Sequence, residues 1–217
     1  MDGGNMDQVV TSHMSPSDNT TSAVQELAPE DESRAAIYAM LAQILSAPPT
    51  AEQLTELGKL QGSDTEFGQA IAWLSEAARG TTAEQADDAY HDLFIGLTRG
   101  KLLPYGSYYL TGFLHEKPLA RLRNSMAQLG IAANPEEKDP EDHIASVLDM
   151  MGGLIRGDFG QPVPVAQQRI FFQEHVQSWA PYFFRDLEKV EETELYAAIG
   201  TVGRIFLELE EAAFSMD

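Results

Sequence analysis

Between residues 50 and 96 one local pattern recurs three times: a Thr or Ser answered three residues on by Gln or Glu, then an apolar stripe at helical spacing, then a glycine. Thr50 with Gln53 leads into Leu54, Leu57 and Leu60 and stops at Gly62. Ser63 with Glu66 leads into Phe67, Ile71 and Leu74 and stops near Gly80. Thr81 with Glu84, or Thr82 with Gln85, leads into Ala86, Tyr90, Leu93 and Phe94 and stops at Gly96. A side chain that accepts from the third residue's N–H, paired with one that reaches back, satisfies donors that every helix start leaves open, and glycine takes the left-handed turn that ends a helix. A chain punctuated this way folds as short helices. Alternating strand patterns bounded by turns are missing throughout.

The remaining chain reads the same way. Ala36, Ile37, Met40, Leu41, Ile44 and Leu45 make a helix that ends at Pro48 and Pro49. Short helices are predicted over Ser107 to Leu114 and Pro118 to Gly130, then one opened by Asp139 as N-cap and Pro140 in its first turn. Three more follow, from about Val165 to Trp179, Pro181 to Val190 and Thr193 to Ala213. The expected fold is all-α: a single compact helical domain of about ten short helices in two halves. The N-terminal half is residues 33–130, the C-terminal half 142–217, and the polar, proline-containing stretch 131–141 is the hinge between them.

Residues 1–32 are rich in Ser, Thr, Asn and Asp and lack a periodic apolar stripe, so they are expected to form a disordered acidic tail. No basic, apolar leader opens the chain, and no run of about 18 apolar residues occurs, so neither a secretory signal nor an integral membrane segment is expected. Met1 and Met14 are both compatible starts. A cytoplasmic location follows as the default.

Charge and cysteine content exclude several functions. With 14 Lys+Arg against 34 Asp+Glu the net charge is −20, which repels a phosphate backbone, so nucleic acid is a poor partner. The chain has no cysteine, hence no disulfide, thiolate metal site or thiol nucleophile. The charge is patchy: 93–135 is net basic through Arg99, Lys101, Lys117, Arg121 and Arg123, whereas 186–217 is strongly acidic.

Enzymatic motifs are missing: there is no phosphate-binding glycine loop, no HExxH and no nucleophile elbow. The histidines do not pair at helical spacing, and Asp88 with His91 reads as a surface ion pair. Two segments carry more chemistry. In LLPYGSYYLTGF, residues 102–113, Tyr105, Tyr108 and Tyr109 cluster at a helix start beside Gly106, and tyrosine's apolar ring with a polar tip suits a wet peptide groove as well as a core. In DPEDHIASVLDMM, residues 139–151, Asp142 and His143 fall in the expected first turn of a helix, where the helix dipole favours a carboxylate and disfavours an imidazolium.

Taken in order, these segments resemble the signature of the TorD/DmsD family of redox-enzyme maturation chaperones. PYGSYYL is similar to the family's aromatic P-[YW]-x-S-x-[YW]-L element, and DPEDHI to its E-P-x-D-H element, with Asp139 in place of Glu. YHDLFIG, residues 90–96, and HVQSWAPYF, residues 175–183, are similar to two flanking blocks. The resemblance covers about residues 33–212. It implies a cytoplasmic chaperone rather than an enzyme, one that binds the precursor of a molybdopterin-containing oxidoreductase through its twin-arginine signal peptide for cofactor insertion and export proofreading. It also implies a signal-peptide-binding site at Leu93, Phe94, Pro104, Tyr105, Gly106, Ser107, Tyr109, Asp142 and His143. It implies no catalytic residue, metal or tightly held cofactor, only weak guanine nucleotide binding, and a monomer or a domain-swapped homodimer. The alternatives are an assembly factor for a non-exported molybdoenzyme such as a formate dehydrogenase, and a guanine-nucleotide-dependent enzyme. A twin-arginine leader is basic, then apolar, and on this reading Asp142 with its acidic neighbours meets the first part and the aromatic cluster the second.

Overall fold

A computed structural model describes Met1 and residues 27–96, 100–135 and 138–216. Among the described residues there are ten α-helices and no strand. They are α1 (Pro29–Ser46), α2 (Ala51–Leu57), α3 (Glu66–Gly80), α4 (Ala83–Tyr90), α5 (Gly106–Thr111), α6 (Lys117–Gln128), α7 (Ile144–Arg156), α8 (Val165–Phe171), α9 (Ala180–Leu187) and α10 (Glu194–Met216). Two of them, α4 and α8, continue into π-helical turns at His91–Ile95 and Phe172–Gln177. Residues 2–26, most of the segment expected to be a tail, lie outside the described residues. Pro29 to Glu32, assigned to that tail from sequence, form the first turn of α1.

The capping expectation holds in two of three places. Thr50 Oγ1 accepts from Gln53 N at 3.2 Å while Gln53 Oε1 accepts from Thr50 N at 2.7 Å. Thr82 and Gln85 exchange the same pair of bonds. Helix α3, however, is capped by Thr65, whose Oγ1 accepts from Gly68 N, and not by Ser63. Ser63 folds over that first turn instead, so close that a Cβ at Gly68 would sit 2.0 Å from its Oγ. A second correction concerns α7, which starts at Ile144 with His143 as N-cap rather than at Asp139. Residues 139–142 form a turn ahead of it, closed by His143 N donating to Pro140 O at 2.9 Å.

The chain's two halves are not two bodies. Helix α1 packs along α7, and α10 packs on both α3 and α9, so N-terminal elements pair with C-terminal ones. One continuous apolar core holds residues from α1 (Tyr38, Leu41), α3 (Leu74), α7 (Val147, Leu148) and α10 (Ile199, Val202). Glycine permits the closest approach: a Cβ at Gly203 of α10 would lie 2.2 Å from the Phe184 ring of α9. Of the hinge segment, residues 136–137 lie outside the described residues, and the rest is non-helical.

A buried ion pair ties this assembly together across 176 residues of chain. Arg34 donates from Nε and Nη2 to the two oxygens of Glu210, at 2.7 and 2.9 Å, and from Nη1 to Asp31 and Gln168. Tyr38 adds a bond to Glu210 Oε2 at 3.0 Å, and the guanidinium lies over the Phe214 ring.

Candidate functional site

The four sequence blocks converge on one place. Their meeting point is a single antiparallel bridge between Tyr105 and His143. Gly106 N donates to Asp142 O at 2.9 Å, and Ile144 N donates to Pro104 O at 2.8 Å. Asp142 Oδ2 accepts from Ser107 N at 2.6 Å, and His143 Nδ1 accepts from Ala145 N at 3.2 Å. Each segment thus supplies acceptors to the free N–H groups that open the other's helix, α5 on one side and α7 on the other. Sequence placed Asp142 in the first turn of its own helix; it caps a helix 35 residues upstream instead.

The other two blocks form the floor. The Trp179 indole underlies Gly106, where a Cβ would meet its Nε1 at 2.9 Å, so only glycine lets α5 begin this close. Trp179 Nε1 donates to His175 O at 2.7 Å within the π-helical end of α8. Tyr109 stacks between Trp179 and Phe183, with ring centroids 5.8 and 6.1 Å away. Leu93 O accepts from Leu102 N, and Phe94 packs on Phe183 and Tyr196. π-turns are enriched at functional sites, and here two of them shape one aromatic floor.

Burial sorts the nine residues named from sequence. Leu93 and Phe94 are buried in the core, as are Pro104, Gly106 and Ser107. Asp142 is only 3% exposed, so the acid expected to meet a basic peptide is a structural cap instead. The half-buried surface members are Tyr105 and Tyr109, whose hydroxyls donate to Asp139 at 2.7 Å and to Asp186 at 3.2 Å. Burial, reinforced by these carboxylates, pushes both phenols above their usual range, so they stay neutral donors.

The Tyr105 and His143 rings lie 5.2 Å apart, near edge to face. Burial pushes His143 below the usual imidazole range and outweighs the opposing pull of Asp139 and Asp142. Because Nδ1 accepts a backbone N–H, the neutral ring carries its proton on Nε2. Two buried atoms at this junction have no hydrogen-bond partner among the described residues: Asp142 Oδ1 and Ser107 Oγ.

The open space beside the junction is acidic. A cavity of about 710 Å³ between α1 and α7 is lined by Asp139, His143, Ser146, Asp149, Ala39 and Met40. A neighbouring one of about 410 Å³ shares Asp139, Ser146 and Asp149 but is also lined by Arg123, Lys138 and His115, so its charge is mixed. Both fall within the size range of small-ligand sites. Sequence missed Asp149 and the α1 wall, because nothing local in α1 signals that it faces the start of α7. The basic excess at 93–135 is partly neutralised: Arg123 pairs with Glu141 at 2.8 Å beside this space, and Lys101 pairs with Glu192 elsewhere. The expected Asp88–His91 pair is in fact Asp87–His91, both exposed. Among the described residues, no three His, Asp or Glu side chains converge to hold a metal ion.

A family model described as the nitrate reductase delta subunit matches residues 60–185. The chaperone protein TorD of Aliivibrio fischeri is 30% identical over 208 residues, covering 86% of this chain and 97% of that protein. TorD of Vibrio atlanticus is 28% identical over 203 residues, covering 83% and 94%. A crystal structure from Archaeoglobus fulgidus, assigned to redox enzyme maturation, superimposes with a TM-score of 0.52 at 20% identity, covering 81% of this chain and 93% of that one. That likeness concerns the all-helical fold.

Proposed function

The chain belongs to the TorD family of chaperones, which the nitrate reductase delta subunit model describes, and from that premise we propose that it binds the twin-arginine signal peptide of a molybdopterin oxidoreductase precursor during cofactor insertion. The named relatives are chaperones, and this chain is a maturation factor rather than an enzyme. The observation that carries the peptide reading is the acidic cavity beside the Tyr105–His143 junction. Guanidinium pairs with carboxylates through charge-assisted hydrogen bonds, and the exposed carboxylates of Asp139 and Asp149 line that cavity, within reach of an incoming arginine. Asp142 and His143 act behind them as positioning residues: they fix the starts of α5 and α7, and hence the wall on which Asp139 and Tyr105 meet. No described helix is long and apolar enough to cross a membrane. Work on a precursor before export takes place in the cytoplasm, and the chain's acidity keeps it soluble there.

The interleaved packing suits either oligomeric state. The contacts of α1 on α7 and of α3 on α10 serve a monomer, and they serve equally a dimer that exchanges α7–α10 through the 131–141 segment.

Calorimetric titration with the twin-arginine leaders of the host's own molybdoenzyme precursors tests the reading. At least one leader should bind, and Asp139→Asn should weaken it about tenfold, or about 1.4 kcal/mol, with helical content unchanged. Binding to none of them would refute it, and capture of a leaderless formate dehydrogenase would favour the non-exported client.

A further inference from the structure

Helix α1 is apolar on more sides than the fold covers. From Ala35 to Leu45 it carries no charged side chain, and Gln43 is its only amide. Tyr38, Leu41, Ala42 and Leu45 are buried inward. The opposite face, Ala36, Met40 and Gln43, is open or half-open. A helix that is apolar all round is normally buried all round.

That uncovered ridge is flanked by two grooves. One is the acidic cavity against α7 described above. The other, about 770 Å³, runs between α1, α2 and α3, with Ile37, Met40, Ile44, Leu57, Leu60 and Ile71 along it. Both grooves include Ala36, Met40 and Gln43, so they form one surface with an acidic side and an apolar side. The charged groups on the rim of the second are Glu52 and Glu56, the latter paired with Lys59.

Building on the signal-peptide reading, we propose that this surface is the seat of the leader's apolar stretch: the arginines lie at Asp139 and Asp149, and the following apolar segment crosses the Ala36–Met40 ridge into the groove between α1, α2 and α3. Charge complementarity selects the occupant. A bare apolar helix would leave Asp139, bonded to the Tyr105 hydroxyl, without a cation and Asp149 with only Arg156 at 4.0 Å, and an acidic amphipathic one would be repelled by them. A segment that is basic and then apolar satisfies both sides, and an apolar helix of about 12 residues is about 18 Å long. The acidic cavity alone therefore holds only the basic end of the ligand.

Because the chain lacks cysteine, a single Ala36→Cys change gives one labelling point at an exposed position. An environment-sensitive dye there should shift to the blue when the tightest-binding leader is added, and a dye at Glu84→Cys should not. In unlabelled protein, Ile71→Lys and, separately, Leu60→Lys, which line only the groove between α1, α2 and α3, should weaken that leader at least tenfold while leaving an Arg-Arg peptide without the apolar stretch unaffected. Circular dichroism and the thermal midpoint verify folding, and Leu60→Lys serves if Ile71→Lys unfolds. Full-affinity binding of the leader to the folded Lys variants would overturn the groove assignment while leaving signal-peptide binding intact. Failure of every leader on the unaltered chain would overturn both. A dye already blue-shifted without peptide would overturn it too. Relief of that shift on removing residues 1–26 would name the chain's own start as the occupant, and relief on dilution would name a second copy.

Discussion

Glu210 and Asp142 are the two buried carboxylates among the described residues, and their surroundings differ completely. Glu210 is closed: both oxygens take bonds from Arg34, one takes a further bond from Tyr38, and the guanidinium's other contacts reach Asp31, Gln168 and the Phe214 face. Among the described residues Asp142 has no cation bonded to it. One of its oxygens accepts a backbone N–H, and the other, like the neighbouring Ser107 hydroxyl, is unpartnered. A desolvated carboxylate is costly unless it is paired and hydrogen-bonded. The first cluster meets that condition and reads as a staple between α1, α8 and α10. The second meets it only in part, in a small enclosed space that it shares with Arg121, His175 and Trp179.

The largest expected effect separates the two by stability alone. Arg34→Met leaves Glu210 and Tyr38 facing each other without a cation, and should cost about 3 kcal/mol or more in urea unfolding, with leader affinity unchanged in the folded fraction. An effect below about 1 kcal/mol would place the ion pair among weak surface pairs and remove the contrast. Next, Asp142→Ala removes the acceptor at the start of α5 and should cost about 1–2 kcal/mol, the range of a lost helix cap. Unlike Arg34→Met, it should also weaken leader binding, because the wall carrying Tyr105 shifts. Asp142→Asn, which keeps an acceptor oxygen, should restore most of both.

The smallest effect is a pH dependence. Burial holds His143 below its usual value of about 6.5, and the neutral ring is the form that caps α7. Below pH about 6.5 the unfolded chain binds this proton more readily than the folded one. The associated stability is therefore fully present above that pH and declines as pH falls towards the folded value. His175, bonded to Ser125 Oγ at 2.8 Å, is also pushed down by burial and adds to the same slope. Thermal midpoints measured from pH 8 to pH 5 should fall for the unaltered chain and fall less steeply for His143→Asn, which retains an N-cap oxygen. Equal slopes in both would assign the effect to His175 alone.

Some of the site is legible in the sequence. The pairing of PYGSYYL with DPEDHI was readable as a motif, and Tyr105 and Tyr109 do present half-buried rings at its edge. What each residue does was not readable. Asp142 reads as an acid in the first turn of its own helix, because an acid one residue ahead of the true N-cap has the same local sequence as an acid inside the helix. Leu93 and Phe94 were placed in a groove, yet the rings of Phe183 and Tyr196, about a hundred residues later, close over Phe94. Ser63 imitated a capping residue that Thr65 supplies, since both carry a hydroxyl within reach of the same turn.

The sequence by itself determined the class of fold and part of the punctuation of its helices: the boxes at Thr50 and Thr82 and the left-handed Gly96 and Gly130 stand, whereas α2 stops at Leu57 rather than at Gly62. Capping boxes, stop glycines and 3.6-residue apolar periodicity act within a few residues, and local interactions are what a chain can declare locally. It also determined what the protein avoids, through its net negative charge and lack of cysteine. Only the tertiary structure decided which acids face open space, which carboxylate is sealed by Arg34, and which face of α1 stays uncovered. Those depend on α1 meeting α7 and on α10 meeting both α3 and α9. Burial and pairing are properties of neighbours in space, and contacts between residues as far apart as Arg34 and Glu210 leave no trace in the order of the chain.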